Sequence, residues 1–173
     1  MTFIRTLSLL FLVLFSMSSL AGSPLKVGNK APNWILPDAN GRHVSFYEHC
    51  SGQTAIILFW ATWCPYCSAL MPELEKLRME SAGKAVKFYA LNIWEDGDPV
   101  QHMKTHNYGS KLLLNADNVA KRYGVKGTPG LFVIAPDKTV QFIRAKGQSP
   151  ADVMKQVRKT LTKIGMSYQG RKT

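Results

Sequence analysis

The chain has 173 residues, 46% hydrophobic and 19% charged, and a formal net charge of +11 from 22 Lys+Arg against 11 Asp+Glu. That length suits one domain with a short extra segment, and that balance excludes intrinsic disorder. The cations are scattered, apart from Lys121-Arg122 and the stretch from Lys155 to Lys163, with no arginine-rich arm and no RNP-like aromatic motif; we read a solvated basic face and no nucleic-acid partner.

The first element is a leader. Thr6 to Leu25 contains no charged residue and follows a lone Arg5. Its most apolar stretch, Leu7 to Phe15, is short for a span and ends in serines, with Ser19-Leu20-Ala21 suited to cleavage after Ala21. Residues 1–21 are therefore expected to be an export signal, the rival reading being an uncleaved N-terminal anchor. No cysteine lies near the junction, which excludes a lipoprotein-type N-terminus. Either way the domain is expected outside the cytoplasm, in the periplasm or an equivalent compartment, where disulfides persist. Residues 22–30 read as a linker, 31–164 as the domain and 165–173 as a polar tail.

Asn40-Gly41, a strong turn signal, separates Trp34-Ile35-Leu36 from His43-Val44-Ser45-Phe46, and a hairpin is expected there. Thr54 to Trp60 is an unbroken run of apolar, β-branched and aromatic residues, the pattern of a central strand buried on both faces. Ser68 to Ala82 has a helical period, with Pro72 expected to kink it. Val86 to Ile93 reads as a second buried strand, Pro99 to His106 as a short helix, Lys111 to Asn115 as a short strand, and Asp117 to Tyr123 as a helix closed by Gly124. Gly130 to Ala135 and Thr139 to Arg144 form a second hairpin, and Ser149-Pro150 starts a last helix through Val153, Val157 and Leu161. This order gives an α/β fold with a central mixed sheet flanked by helices and an N-terminal β-hairpin extension.

The chemistry-bearing motif is Trp63-Cys64-Pro65-Tyr66-Cys67, at the junction of buried strand and helix. Orphan N–H groups and the dipole of a helix N-terminus favour a thiolate, the attacking species in disulfide exchange, so Cys64 is assigned as nucleophile. Cys67 lies one turn further in, shielded from solvent but within reach of Cys64, and is assigned as the resolving thiol. Pro65 sits where its missing N–H is not needed and stiffens the loop. A C-x-x-C is also half of a zinc site, but the remaining cysteine, Cys50, and the nearest histidines, His102 and His106, supply no matching pair of ligands. Neither a metal nor any other cofactor is assigned.

Phe59-Trp60-Ala61-Thr62-Trp63-Cys64-Pro65-Tyr66-Cys67, then Met71-Pro72-Glu73-Leu74, then Tyr123-Gly124-Val125-Lys126-Gly127-Thr128-Pro129, resembles the TlpA/ResA/CcmG branch of the thioredoxin superfamily, over Val27 to about Leu161. The resemblance implies a thioredoxin-like fold and a protein disulfide reductase, of the class that serves cytochrome c maturation, copper sites or misoxidised exported proteins. It makes Thr128-Pro129 a cis-proline segment beside the Cys64/Cys67 loop, leaving the Thr128 backbone free to pair with a substrate strand. With Thr128 and Pro129, the residues Trp63, Pro65 and Tyr66 make up the expected substrate-contact surface, while Trp60 is expected in the core. Implied partners are proteins carrying a disulfide or thiol and a membrane electron donor of the DsbD type; the domain is expected to act as a monomer.

The sequence departs from its relatives at two acids. Leu58 stands where thioredoxins carry a buried Asp, and Leu70 where ResA-like members carry a Glu, so neither proton relay is present. Tyr66 adds no positive charge between the cysteines, which leans toward a reductase rather than an oxidase of the DsbA kind. Cys50 reads as an inert core thiol, with a third redox partner as its rival. A thiol peroxidase would want Pro-x-x-x-Thr-x-x-Cys, and the sequence has Ile57 and Ala61 at those places. A non-enzymatic alternative is a binding module or metallochaperone partner using the Thr128-Pro129 groove.

Overall fold

The computed structural model describes residues 24–166; the expected signal segment 1–21 and the tail from 167 onward lie outside them. The fold is organised by β3, Thr54–Trp60, which is buried along its whole length. Successive side chains alternate across a strand, so β3 feeds two cores at once. Ile56, Leu58 and Trp60 enter one cluster together with Cys64, Cys67, Leu70 and Leu77. Ala55, Ile57 and Phe59 enter the other with Trp34, Phe46, Tyr89 and Tyr123.

Among the described residues β3 is the middle of a five-stranded sheet. On one side it pairs in parallel with β4, Val86–Asn92, which pairs in parallel with β5, Lys111–Leu113. On the other it pairs antiparallel with β6, Gly130–Ile134, and β6 with β7, Val140–Ile143. The expected thioredoxin-like mixed sheet is what forms, with a separate antiparallel hairpin of β1, Ile35–Pro37, and β2, His43–Ser45.

Helices cover both faces. On the first lie α2, Pro65–Glu80, and α5, Pro150–Lys163, whose Val153, Met154, Val157 and Leu161 are buried at helical spacing. Ser149 caps α5 by accepting the Asp152 N–H, and Arg158 ties α5 to Glu80 of α2 at 2.6 Å. Met103 of α3, Pro99–Thr105, joins the same core. On the opposite face sit the hairpin, the short α1, Phe46–His49, and α4, Asp117–Tyr123. Gly124 ends α4 in the left-handed region at φ 71°, a conformation a residue with a Cβ adopts only at a cost.

Three details differ from the sequence reading. The helix expected from Ser68 begins at Pro65 and is continuous through Pro72, which removes one donor without ending it. Phe46, read as the end of a strand, instead opens α1 and stacks on Trp34 at 5.1 Å. The part of the linker nearest the domain lies along β7, with Gly28 and Asn29 bonded to Val140 and Ala31 to Lys138.

The hairpin is fastened to the sheet edge by a buried carboxylate. Asp38 accepts from Lys111 Nζ at 2.6 Å and from the backbone of Asn40 and Arg42, while the Leu114 N–H donates to the Pro37 carbonyl. The Lys111 hydrogen bond, aided by the backbone donors and opposed by burial, holds the Asp38 carboxyl well below the usual carboxylate range. A depressed folded-state pKa means that the unfolded chain takes up the proton first. The stabilisation is therefore present above about pH 4, the unfolded value, and is lost as the pH falls below it. Urea titrations from pH 6 down to pH 2 are expected to show this loss in the wild type, and Asp38→Asn is expected to flatten it while lowering stability at neutral pH.

Candidate active site

At Trp60 the chain leaves the sheet, and five residues later it enters α2. Cys64 is the N-cap of that helix, with extended backbone at φ −86° and ψ 107°, and its sulfur accepts the Cys67 N–H at 3.1 Å. The sulfur thus takes up one of the donors that a helix start leaves unpaired. Cys64 and Cys67 are bonded to each other, their Cα atoms 5.2 Å apart. In this disulfide form Cys64 is as enclosed as its partner, 2% against 1% exposed.

The expected contact residues gather here. Trp63 and Tyr66 are 51% and 70% exposed, unusually open for large rings, and Pro65 is the exposed first residue of α2. Pro129 is buried, the Thr128-Pro129 peptide is cis, and Pro129 shares a cavity of about 40 Å³ with Tyr66, Ala69 and Leu70. Trp60 is fully buried. One aromatic was missed: Trp94, 39% exposed, accepts the Trp63 indole N–H on its carbonyl at 2.7 Å and so extends the aromatic rim.

Leu58 and Leu70, at the two relay positions, lie in the same apolar core as Cys64 and Cys67. A carboxylate that sequence reading missed stands on the other side of the loop. Glu95 accepts from the Thr62 N–H at 3.0 Å, the Thr62 hydroxyl at 2.5 Å, Asn92 Nδ2 at 2.5 Å and the Gly97 N–H at 2.9 Å. Burial would raise its pKa, but these donors outweigh burial and keep the carboxyl below its usual range. Glu95 pins the 61–63 turn rather than touching sulfur. Its signal was its place just beyond the C-terminal end of a parallel strand adjoining the active strand, where α/β sites collect.

Cys50 is remote. It lies before β3 while Cys64 lies after it, roughly 20 Å of strand apart, and it belongs to the opposite core. Its thiol donates to the Gln53 carbonyl at 3.3 Å, and burial pushes it up against the opposing influence of Lys138 and Tyr89. His102 and His106 stack at 4.4 Å in a row between Trp60 and Tyr108. Burial and then repulsion from His106 hold His102 below its ordinary value, against the pull of Glu95.

Residues 27–143 match the AhpC/TSA family. The thiol-disulfide oxidoreductase ResA of Bacillus thuringiensis subsp. konkukian is 28% identical over 142 residues, covering 80% of each chain. That of Halalkalibacterium halodurans is 31% identical over 112 residues, 63% of this chain and 62% of that one. A Chlorobium tepidum structure described as a thiol:disulfide interchange protein DsbE superposes with a TM-score of 0.68 at 25% identity, over 81% of this chain and 98% of that one.

Two outcomes follow from this geometry. In the reduced native protein, iodoacetamide is expected to modify Cys64 while Cys50 reacts only after unfolding, as peptide mass mapping can read; rapid native labelling of Cys50 would contradict its burial. A Cβ at Gly97 would lie 2.6 Å from the Thr62 hydroxyl, so Gly97→Ala is expected to lower the unfolding free energy by about 1–3 kcal/mol in a denaturant titration, through overpacking and the loss of the Thr62–Glu95 bond.

Proposed function

The chain belongs to the AhpC/TSA family, and on that footing we propose that it is an exported thiol-disulfide oxidoreductase that exchanges disulfides with protein substrates through Cys64 and Cys67. The observation that carries this reading is the sulfur of Cys64 at the N-cap of α2, accepting a helix N–H and bonded to Cys67. In the reduced form the Cys64 thiolate attacks one sulfur of a substrate disulfide, forming a mixed disulfide and releasing the other sulfur as a thiolate. Cys67 then attacks Cys64, giving up its proton as it does so; the mixed disulfide breaks, the substrate leaves with both sulfurs reduced, and two electrons have passed from the protein to it. A dithiol donor, by resemblance of the DsbD type, restores the pair.

Family membership does not bring peroxidase chemistry with it. Ile57 and Ala61, where a peroxidase motif would place Pro and Thr, are both buried apolar residues and offer no hydroxyl to a peroxide. The uncharged Tyr66 between the cysteines supports the reductase direction. The uncharged run Thr6 to Leu25 supports reading residues 1–21 as an export signal with a linker to residue 30; on that reading the enzyme works outside the cytoplasm, and we take it to act as a monomer. Among the described residues no helix is long and apolar enough to cross a membrane.

Reduction of insulin by the purified, pre-reduced protein tests the mechanism. Cys64→Ala is expected to abolish activity, and Cys67→Ala to arrest it as a mixed disulfide visible on a non-reducing gel. Activity that survives Cys64→Ala, or client maturation that proceeds normally with Cys64→Ser, would assign the protein a binding role instead.

A further inference from the structure

Beside Pro129 the surface opens into a groove of about 530 Å³ that runs from Leu25 and Tyr123 along Lys126-Gly127-Thr128 to Arg144 and Lys146. Pro129 and Arg144 also line the small cavity under Tyr66, so groove and disulfide loop are continuous. The groove carries three cations and no carboxylate among its lining residues. Elsewhere in the described residues Lys30, Arg42, Arg78, Lys111 and Arg158 each meet an acid. Arg144 meets none: it donates to the Pro129 carbonyl at 3.1 Å and the Gln148 carbonyl at 3.2 Å, and it is half-buried. Burial of this cation lowers its pKa, the mark of a charge set in poor solvent without a counter-ion.

Two carbonyls occupy two of the five guanidinium donors, and the remainder suit a carboxylate, which Arg binds more strongly than it binds a neutral acceptor. Next to it the Thr128 N–H and C=O have no hydrogen-bond partner among the described residues, as a backbone awaiting an extended strand would. Lys126 and Lys146, both exposed, extend the positive field along the groove.

We infer that this groove selects extended protein segments carrying Asp or Glu within a few residues of the target cysteine, with the acid bound by Arg144 and steered by Lys126 and Lys146. The inference rests on the oxidoreductase reading above and names the substrate class for that site.

The test uses the full-length reduced protein and two synthetic peptides, each linked by a disulfide to a fluorophore and differing only in Glu or Lys beside the cysteine. The Glu peptide is expected to be reduced roughly tenfold faster in kcat/KM at low salt, the size of one charge-assisted hydrogen bond, and the ratio is expected to shrink toward one in high salt. Arg144→Gln is expected to collapse the ratio, which is read within each variant so that a general loss of activity cancels. Lys146→Glu, an exposed change that leaves the core intact, is expected to lower the ratio as well. Equal rates for both peptides in the wild type would overturn this inference and leave the oxidoreductase standing. Equal rates together with retention on vesicles containing phosphatidylglycerol would give the cations to a lipid surface instead. Reduction of neither peptide would overturn both readings.

Discussion

A strand buried on both faces has one place to leave its sheet, and in this protein that place is also the start of a helix. β3 is paired as far as Trp60 on the β4 side and Phe59 on the β6 side; beyond it the Thr62 N–H turns to Glu95, and at the start of α2 the Cys67 N–H is shared between the carbonyl and the sulfur of Cys64. The position of the sulfur is thus a consequence of hydrophobic burial in β3 and helix geometry in α2. The rest of the site is delivered by register. Because β4 runs parallel to β3 with Trp60 opposite Asn92, the residues just after β4 arrive at the same end of the sheet, and Glu95 among them. Because β6 runs antiparallel with Phe59 opposite Gly130, the residues just before β6 arrive there too, and these are Thr128 and Pro129.

That division explains what could be read from the chain. β3 was legible because six consecutive apolar residues after Thr54 admit little else, and α5 was legible because its cap, first-turn proline and spacing agree. Cys64 and Cys67 were legible because their chemistry is local: sulfur, proline and helix start are contiguous. Glu95, Trp94 and Arg144 were not, since each reaches the site through pairing between strands distant in sequence, and nothing local distinguishes them from other charged or aromatic residues after a strand. α1 was missed for another reason. Phe46 has strand propensity, but its stacking on Trp34 overrides it, a tertiary preference invisible to a local window.

Electrostatically the site is lopsided, and the lopsidedness follows the same architecture. On the β4 side Glu95 is ionised and fully engaged in holding the 61–63 turn and its neighbours. On the β6–β7 side stand Lys126, Arg144 and Lys146 with no acid to answer them. Under the sulfurs lies neither sign: Leu58, Leu70, Met71 and Trp60 form an apolar floor. A strand bound as inferred above would meet positive charge along its length and an aromatic rim of Trp63, Tyr66 and Trp94 at its end.

The apolar floor limits the routes open to the proton of Cys67. In a site with a buried carboxylate the resolving thiol hands its proton to that acid, which must later release it. With Leu58 and Leu70 in those places there is no such acceptor in the core. A thiolate created in apolar surroundings is costly to hold, so deprotonation of Cys67 and its attack on Cys64 must occur together rather than in sequence. In the reaction proposed above, a base available at that moment is the substrate thiolate that the first attack releases. Proton transfer to it would carry two electrons and the single proton of Cys67 to the substrate, whose second sulfur leaves as a thiolate and takes its proton from water, as Cys64 gave its own to water on ionising.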